Sequence, residues 1–484
     1  MVTRRAFLAG LGSAALVFGF DPVNRRWISE AHAAPFDRLP RLDGSIVTDP
    51  ASLAAYARDA GNIVHNTPIA VLRPGSVRDI QRMLRFCKQR RIQVAARGQG
   101  HTTFGQAQVA GGLVIDMATL NQIHSISADE AVIDAGATWR ALVDVSAPSN
   151  IMPPVLTGYI NLSIGGTLSV GGVSTSYGQG SQVDHVRELE VVTGTGDLKR
   201  CSAHQNADLF QAALAGLGQC GVITRATIDM VRVKPSARVC QLNYFADPPF
   251  FQDLETLLNR GEFDDLFMLG VPDGAGGWVR QLNAVKFFGP GEDPDPNFLL
   301  RGLTASPSSA LIVDQTHHEY VLRVDVLVDF LKLVGLWNDV LHPWFDVWVP
   351  DDAVEPYVTD VLAGLTPEDV GATGFLLLLP QRASRFRRRF FKVPECSRWI
   401  YLFDILTAAG APGPDPEFEA RMLERNRILF EQARDVGGKR YPIGTLEFSR
   451  SDWKHHYGHD YDDFERLKQR YDPSGILSPG SGIF

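Results

Sequence analysis

The amino-acid sequence predicts an α+β protein of two domains. Its 484 residues are too many for a single hydrophobic core. In the first half, short apolar runs alternate with segments of helical periodicity, as in layered folds of strands and helices. From about Val239 the chain changes to proline-rich, acidic loops and longer apolar runs, which indicates a second domain.

The individual elements follow from local patterns. Apolar runs bounded by turn residues predict strands at 69–74, 92–96, 113–117, 131–136, 186–193 and 221–230. Helical spacing predicts a helix that Ser76 caps, another at 139–145 and a third that begins at Asn206. In the second half, the same criteria predict a helix at 321–333 and a buried strand at 374–380.

A glycine-rich loop with a histidine at its centre follows the second strand. Gly98, Gly100 and Gly105 allow backbone conformations that other residues avoid and a close approach of the backbone to a ligand. Successive N–H groups in such a turn form an anion site, and His101 places a nitrogen nucleophile beside it. Taken alone, the loop is equally consistent with a glycine-rich hairpin that carries a solvated histidine.

A second glycine-rich region occupies residues 165–172. Its spacing does not give Gly-x-Gly-x-x-Gly after a first strand, which disfavours a Rossmann fold.

Composition and charge narrow the class of protein. Hydrophobic residues are 45% and charged residues 21% of the chain, as in ordinary globular proteins, and the net charge of −8 disfavours nucleic acid as the main partner. The run of Arg385, Arg387, Arg388 and Arg389 is interpreted as a solvated loop. No metal site is expected, because the five cysteines are scattered; they read mostly as buried thiols, with one disulfide left open.

The first 33 residues are interpreted as a twin-arginine signal peptide. Arg4 and Arg5 precede an apolar run that is too short to span a membrane, and Ala31-His32-Ala33 is typical of a cleavage site. We therefore expect a periplasmic or secreted protein with no stable membrane span. Twin-arginine export carries folded proteins, which suits a chain that acquires a cofactor before export.

The motifs together resemble those of the vanillyl-alcohol oxidase/p-cresol methylhydroxylase flavoprotein superfamily, and most closely the cytokinin dehydrogenases. The similar segments are 95–101, 105–107, 165–169, 206–210, 216–224, 335–337, 342–344, 471–473 and 476–480, and they occur in the family's order. The resemblance implies a PCMH-type FAD-binding domain at 34–238, completed by a C-terminal return at 435–484. A substrate-binding cap domain at 239–434 is expected to be an antiparallel sheet flanked by helices.

The resemblance also implies how FAD is held. His101 is expected to form a covalent bond to the 8α-methyl group of FAD, since a neutral imidazole is a competent nucleophile near pH 7. Residues 168–178 contain no cysteine, so a single covalent bond is expected. The residues expected to contact FAD without a covalent bond are Arg97, Gly98, Gln99, Gly100, Thr102 and Gln106 near the pyrophosphate, Gly165, Gly166, Thr167 and Gly171 near the ring and phosphates, and Gly221, Val222 and Ile223 near the adenine.

The sequence departs from the cytokinin dehydrogenase pattern at its catalytic carboxylates. Gly158 stands where that family has an aspartate, and the segment 263–268 lacks the family's glutamate. The catalytic base is therefore unknown, and cytokinin is a doubtful substrate. The weak candidates for a base are Tyr159, His317, Tyr401 and Glu447, with His318, Tyr320, Asp346 and Tyr357 also available, and Trp344, Phe345 and Trp348 are candidates for an apolar pocket.

These observations predict an exported FAD-dependent oxidoreductase. We expect hydride transfer to FAD from a small organic substrate, an amine or an alcohol, sugar or phenol, with oxygen or a quinone-like compound as the electron acceptor. Two alternatives are a flavin-bearing binding or accessory protein with little turnover, and a true cytokinin dehydrogenase.

Overall fold

The computed structural model describes residue 17 and residues 19–28, 37–395 and 398–484. The twin-arginine pattern, the expected cleavage site and Cys396 lie outside these residues.

The N-terminal part of the chain contains two small sheets. The first is antiparallel, with the order β2-β1-β3, and consists of β1 (Gly19–Asp21), β2 (Arg26–Ile28) and β3 (Asp37–Arg38). The second has the order β4-β5-β7-β6 and consists of β4 (Ser45–Val47), β5 (Ala70–Arg73), β6 (Val94–Arg97) and β7 (Leu113–Asp116). Both β5 and β6 pair in parallel with β7, so the carboxyl ends of these strands lie at the same edge of the sheet.

A five-stranded antiparallel sheet completes this part of the fold. The next strands along the chain are β8 (Ile123–Ile126), β9 (Glu130–Asp134), β10 (Ile151–Met152), β11 (Val186–Val192), β12 (Leu198–Ser202), β13 (Val222–Asp229) and β14 (Val231–Arg232). The sheet has the order β12-β11-β13-β9-β8, whereas β10 and β14 form a separate pair.

Helices cover these sheets. They are Pro50–Tyr56, Val77–Arg90, Trp139–Ser146, Ile164–Val170 and Ala207–Ala213, with single turns at Met117–Thr119, Ala147–Ser149 and Gln182–His185. Ser76 precedes the second helix, but its hydroxyl donates to Asp43 at 2.6 Å and makes no hydrogen bond to the helix backbone. The expected side-chain cap is therefore wrong, although the helix begins where predicted.

The second half of the chain builds an eight-stranded antiparallel sheet. Its strands are β15 (Ser236–Tyr244), β16 (Asp265–Pro272), β17 (Trp278–Phe288), β18 (Leu311–Thr316), β19 (Phe345–Pro350), β20 (Phe375–Arg382), β21 (Trp399–Leu406) and β22 (Lys439–Arg440). They lie in the order β18-β15-β17-β16-β20-β21-β19-β22. The sheet thus draws on residues 236–440, compared with the predicted cap domain of 239–434.

Helices also accompany this sheet. They are Asp247–Arg260, Pro296–Leu299, His317–Leu333, Val354–Gly364, Pro367–Val370 and Pro416–Asp435, with single turns at Pro307–Ser309 and Ala383–Arg385. The helix predicted at 321–333 begins earlier, because Thr316 and Glu319 form a reciprocal cap at its N-terminus. His317 is consequently the first residue of this helix.

The C-terminal segment returns to the first sheet system. After the helices Arg450–Tyr457 and Tyr461–Tyr471, with single turns at Gly458–Asp460 and Pro479–Ser481, the tail runs beside β6. The Val94 N–H donates to the Ile476 carbonyl at 2.7 Å, and the Ser478 N–H donates to the Val94 carbonyl at 2.8 Å. The tail is thereby fixed next to the strand that leads into the His101 loop.

The basic run is not simply solvated. The Arg388 side chain is only 12% exposed, and its Nε donates to the Val183 carbonyl at 2.7 Å. Arg389 pairs with Asp460 and Asp463 near the C-terminus. The expectation of a solvated loop is therefore wrong for Arg388, whose guanidinium group is held against the backbone of another segment. Arg389 is exposed, as expected, although it forms ion pairs.

Two further features bear on the sequence expectations. Four cysteines, Cys87, Cys201, Cys220 and Cys240, are buried free thiols. Among the helices that the structure describes, none has the length and apolar character needed to cross a bilayer.

Candidate functional site

The loop that carries His101 is held by a buried carboxyl group. Asp59 accepts hydrogen bonds from the Gly105 N–H at 2.7 Å and from the Thr102 hydroxyl at 2.9 Å. Burial raises the pKa of Asp59 to about 6. Sequence reasoning missed Asp59, because it lies outside the glycine-rich loop and no local motif marks it.

Glycine is required in the loop by close packing. A Cβ on Gly98 would lie 1.8 Å from the Ser163 hydroxyl oxygen, and Gly100 has a φ of +64° and lies against the Arg97 guanidinium group. Ser163 immediately precedes the helix Ile164–Val170. The contact between Gly98 and Ser163 therefore brings the two glycine-rich regions of the sequence together.

Backbone donors of the loop are free to bind an anion. Among the described residues, the N–H groups of residues 98 to 102 have no hydrogen-bond acceptor, and all five residues line a cavity. Buried N–H groups are normally paired, and successive free N–H groups in a turn are suited to a phosphate group. The loop thus has the donor set that a pyrophosphate needs.

The second glycine-rich region forms another wall of the same cavity. Gly165 packs against Ala135, where a Cβ would be 2.7 Å from the alanine Cβ. The Trp139 indole N–H donates to the Thr167 hydroxyl at 2.7 Å and fixes the helix. Short side chains in this region leave the backbone accessible to a large flat ligand.

The cavity has a volume of about 740 Å³, large enough for a cofactor and part of a substrate. It brings together nearly all the residues expected to bind FAD, which are Arg97, Gly98, Gln99, Gly100, His101, Thr102, Gln106, Gly165, Gly166, Thr167, Gly221, Val222 and Ile223. Gly171 is not among the residues that line it, although its neighbour Gly172 is.

His101 lies among aromatic rings in this cavity. Its ring centroid is 5.2 Å from that of Tyr159, 5.3 Å from that of Trp344 and 6.1 Å from that of Trp337. Burial, aided by electrostatic interaction with His342 and Lys332, lowers the pKa of His101 to about 3. The imidazole is therefore neutral near pH 7, as a nitrogen nucleophile must be.

Tyr159 is the only one of the four weak catalytic candidates that lines the cavity. Its phenol oxygen accepts a hydrogen bond from the Lys332 ammonium group at 2.9 Å. Lys332 lies near the end of the helix His317–Leu333, and its role was not predicted because nothing in the sequence connects it with Tyr159.

The structure does not bring the other three candidates to the cavity. His317 stacks on Phe287, with 3.9 Å between ring centroids, and its Nδ1 lies 2.9 Å from the Lys234 carbonyl. Tyr401 contacts Asp351 on the far face of the eight-stranded sheet, and Glu447 is exposed.

The remaining candidates divide in the same way. Tyr320, Trp344 and Asp346 line the cavity, whereas His318, Phe345, Trp348 and Tyr357 do not. The Tyr320 hydroxyl donates to Asp265 at 2.7 Å, so it is already engaged within the protein.

Strand alternation determines which residues of the eight-stranded sheet reach the cavity. On β21, Leu402 and Asp404 line the cavity, whereas Phe403 packs into the second domain's core. On β20, Leu377 lines the cavity and Leu376 lies in that core. Successive side chains on a strand point to opposite faces, so one face of this sheet closes the cavity opposite the glycine-rich loops.

Two carboxyl groups lie on this face of the sheet. Asp346 on β19 and Asp404 on β21 are directly opposite each other in the sheet register, and each is 5% exposed. Burial raises the pKa of Asp346 to about 7, and burial together with the neighbouring Asp346 raises that of Asp404 well above its usual range. The pair therefore retains a proton near neutral pH.

Comparisons with known proteins agree with this geometry. Residues 68–202 match the family model described as FAD binding domain, and residues 293–484 match that described as cytokinin dehydrogenase 1, FAD and cytokinin binding. The two matches lie in the two halves of the chain, and the descriptions of both family models include FAD binding.

Similar proteins cover nearly the whole chain. An uncharacterized oxidoreductase, ORF5 in the fasciation locus of Rhodococcoides fascians, is 36% identical over 441 residues, which are 91% of this chain and 99% of the relative. Cytokinin dehydrogenase 9 of Oryza sativa subsp. japonica is 33% identical over 89% of each chain. Cytokinin dehydrogenase 2 of Arabidopsis thaliana is 31% identical over 92% of this chain and 95% of the relative.

The residues present fit FAD. The free N–H groups of the His101 loop suit its pyrophosphate, and the cavity between the glycine-rich regions and the sheet has the size for its ring system. The chain is an enzyme of the FAD-dependent oxidoreductase family that includes the cytokinin dehydrogenases.

Proposed function

We propose that this enzyme oxidises a small organic substrate at a C–H bond next to nitrogen or oxygen, with FAD attached covalently to His101. The observation that carries the proposal is the common cavity. It joins His101, the free N–H groups of its loop and one face of the eight-stranded sheet. Oxygen or a quinone-like compound is proposed as the final electron acceptor.

Bound FAD supplies the two-electron oxidant that the protein side chains lack. The chain's own residues bind and orient. The N–H groups of residues 98 to 102 hold the pyrophosphate, and the neutral His101 provides the nitrogen for attachment. The rings of Trp337 and Trp344 lie against His101 at this end of the cavity.

The substrate class follows from two facts that point in different directions. Relatives named cytokinin dehydrogenases support an amine substrate. Gly158, in contrast, offers no carboxylate at the position where the family pattern has one. We therefore propose an amine or an alcohol, sugar or phenol as the substrate, with the proton acceptor supplied from elsewhere in the cavity.

Export is a separate part of the proposal. The paired arginines Arg4 and Arg5 and the apolar run that follows support transport by the twin-arginine pathway to the periplasm or the medium. Fractionation of cells that express the full chain tests this, with Arg4→Lys/Arg5→Lys as the variant expected to remain in the cytoplasm.

Covalent attachment is tested by denaturing the purified protein in acid and measuring flavin fluorescence on the protein band. We expect fluorescence on the band for the wild type and for His65→Ala, an exposed histidine outside the cavity. His101→Ala should release its flavin into the supernatant. Flavin in the supernatant of the wild type would overturn the covalent bond while leaving the FAD site intact.

A flavin-bearing binding protein with little turnover is the second candidate, favoured by the missing carboxylate at Gly158. An anaerobic screen of amines, alcohols and sugars discriminates the two functions. Loss of the yellow colour with any of these classes establishes an oxidoreductase substrate. Persistent colour with all three classes favours the binding protein.

A further inference from the structure

The strongest unassigned feature of the cavity is the carboxyl pair Asp346–Asp404. In each case one side-chain oxygen, Asp346 Oδ2 and Asp404 Oδ1, is enclosed and has no hydrogen-bond partner among the described residues. Buried polar atoms without partners are rare and costly. The two side chains lie within hydrogen-bonding reach of each other, so the pair can share a single proton.

Two segments of the chain connect Asp346 with the His101 end of the cavity. Asp346 follows Trp344 by two residues, and the Trp344 ring contacts His101. The segment after β22 connects the same places: the Tyr441 N–H donates to the Asp346 carbonyl at 3.1 Å, and the Thr103 N–H donates to the Ile443 carbonyl at 3.2 Å. A ligand that contacts the pair is therefore held near the ring that contacts His101.

The charges around the pair determine what it binds. Arg440 on β22 is buried, and its positive charge acts on Asp346. Tyr441 also faces the pair, and burial raises its pKa, so it stays neutral. A pair that shares one proton carries one negative charge, which Arg440 offsets. The site consequently suits a neutral hydrogen-bond donor better than a cation.

We propose that Asp346 and Asp404 are catalytic residues that bind the N–H or O–H group of a neutral secondary amine or alcohol and accept its proton. The inference rests on the proposed oxidoreductase function and deepens it by naming the substrate class and the base. It places on the sheet the carboxylate function that Gly158 cannot supply.

The step balances in atoms and electrons. FAD, when bound, would be the two-electron oxidant that takes up the hydride of the substrate C–H bond. The adjoining nitrogen or oxygen loses its proton to the carboxylate of the pair, and the C–N or C–O single bond becomes a double bond. The carboxyl group returns the proton to water when the product leaves, and oxygen or a quinone takes the two electrons. Asp346, whose pKa is about 7, can exchange a proton at neutral pH.

Binding is measured first, because it does not depend on turnover. The probes are N-benzylaniline and benzyl alcohol, each compared with its donor-free methyl derivative, N-benzyl-N-methylaniline and benzyl methyl ether. Anaerobic titration followed by flavin absorbance immediately after mixing gives the dissociation constants. We expect each donor to bind at least about 10-fold more tightly than its methyl derivative, as for hydrogen bonds to charged groups.

The variants Asp346→Asn and Asp404→Asn keep the side-chain volume and remove the base. We expect them to lose the preference for donors and to slow flavin reduction by at least about 100-fold. The matched control is Asp325→Asn, another buried carboxyl group with a raised pKa that does not line the cavity. The control should retain both the preference and the rate.

The outcomes separate the pair from the proposed function. Unchanged preference and unchanged flavin reduction in both variants would overturn the role of the pair and leave the oxidoreductase standing. A preference that depends on the pair, without flavin reduction by any substrate, would overturn the oxidoreductase and keep the binding site.

Infrared titration of the wild-type holoenzyme decides the matter if the variants do not fold. A protonated-carboxyl band that shifts with N-benzylaniline but not with its methyl derivative supports the proposal. A band that responds to neither compound contradicts it.

Discussion

At the scale of single residues, Gly158 has room for a side chain. A Cβ at this position would contact only Val324 Cγ2, at 3.7 Å, which is an ordinary van der Waals distance. Gly98 is the opposite case, since any side chain there would collide with Ser163. One glycine is fixed by packing, and the other is open to substitution.

We therefore expect Gly158→Asp to fold and to add a second proton acceptor beside Tyr159. The kcat/KM for N-benzylaniline should rise by at least about 10-fold, within the range of a positioned general base. Steady-state kinetics measure the change, with Gly158→Asn as the control of equal size and no charge. An equal rise in both variants would show that the effect is steric.

The His101 environment leads to a pH prediction. Its pKa of about 3 lies below that of a free imidazole, so the ring stays neutral as the pH falls from 8 to 5. The rate of covalent FAD attachment to flavin-free protein should therefore be flat over this range. Time courses of protein-bound fluorescence test this. A rate that falls about tenfold per pH unit below 6.5 would indicate an ordinary, protonated imidazole instead.

At the scale of elements, strand alternation places neighbouring residues on opposite faces of the sheet, one in the core and the other at the cavity. Leu376 is fully buried in the second domain's core, whereas Leu377, the next residue on β20, faces the cavity. Both belong to one run of leucines, so their sequence context does not distinguish them. The register of the sheet does.

Leu376→Ala should lower the free energy of unfolding by about 2–5 kcal/mol, as expected for a leucine removed from a packed core. Leu377→Ala should lower the free energy of unfolding by no more than about half of that, because the Leu377 side chain already borders the cavity. This variant should instead weaken substrate binding or make it less selective. Chemical denaturation and the probe titrations measure the two effects. Equal stability losses would contradict the assignment of faces.

The same distinction explains what the sequence could reveal about the site. The strands and the two glycine-rich loops follow from local pattern and turn chemistry, and so does the position of His101. The pairing of Asp346 with Asp404 depends on register between strands far apart in the chain. The sequence does contain one sign of this pair. Each of the two buried, largely apolar strands, 345–350 and 399–406, contains a single aspartate, and aspartate is rarely buried.

At the scale of the whole molecule, the C-terminal tail lines the cavity together with residues that are far from it in the sequence. Ser478 and Ser481 line the cavity together with Gly218. The tail is held by Lys468, whose ammonium group donates to the Leu477 carbonyl at 2.9 Å and to the Gln219 carbonyl at 3.1 Å. It also forms an ion pair with Asp472 at 2.9 Å.

Removing the positive charge of Lys468 should therefore lower the stability of the fold and weaken the binding of the flavin. Lys468→Met leaves Asp472, which is fully buried at its side chain, without its ion-pair partner, and such losses cost about 3–5 kcal/mol. We expect that decrease in the free energy of unfolding, with increased flavin fluorescence as the tail that lines the cavity loosens. Lys454→Met, at an exposed position, should change neither quantity. Adding Asp472→Asn to Lys468→Met should recover part of the stability, because the buried Asp472 charge without a partner is then removed. A double variant that is no more stable than Lys468→Met would show that the loss comes from packing rather than from charge.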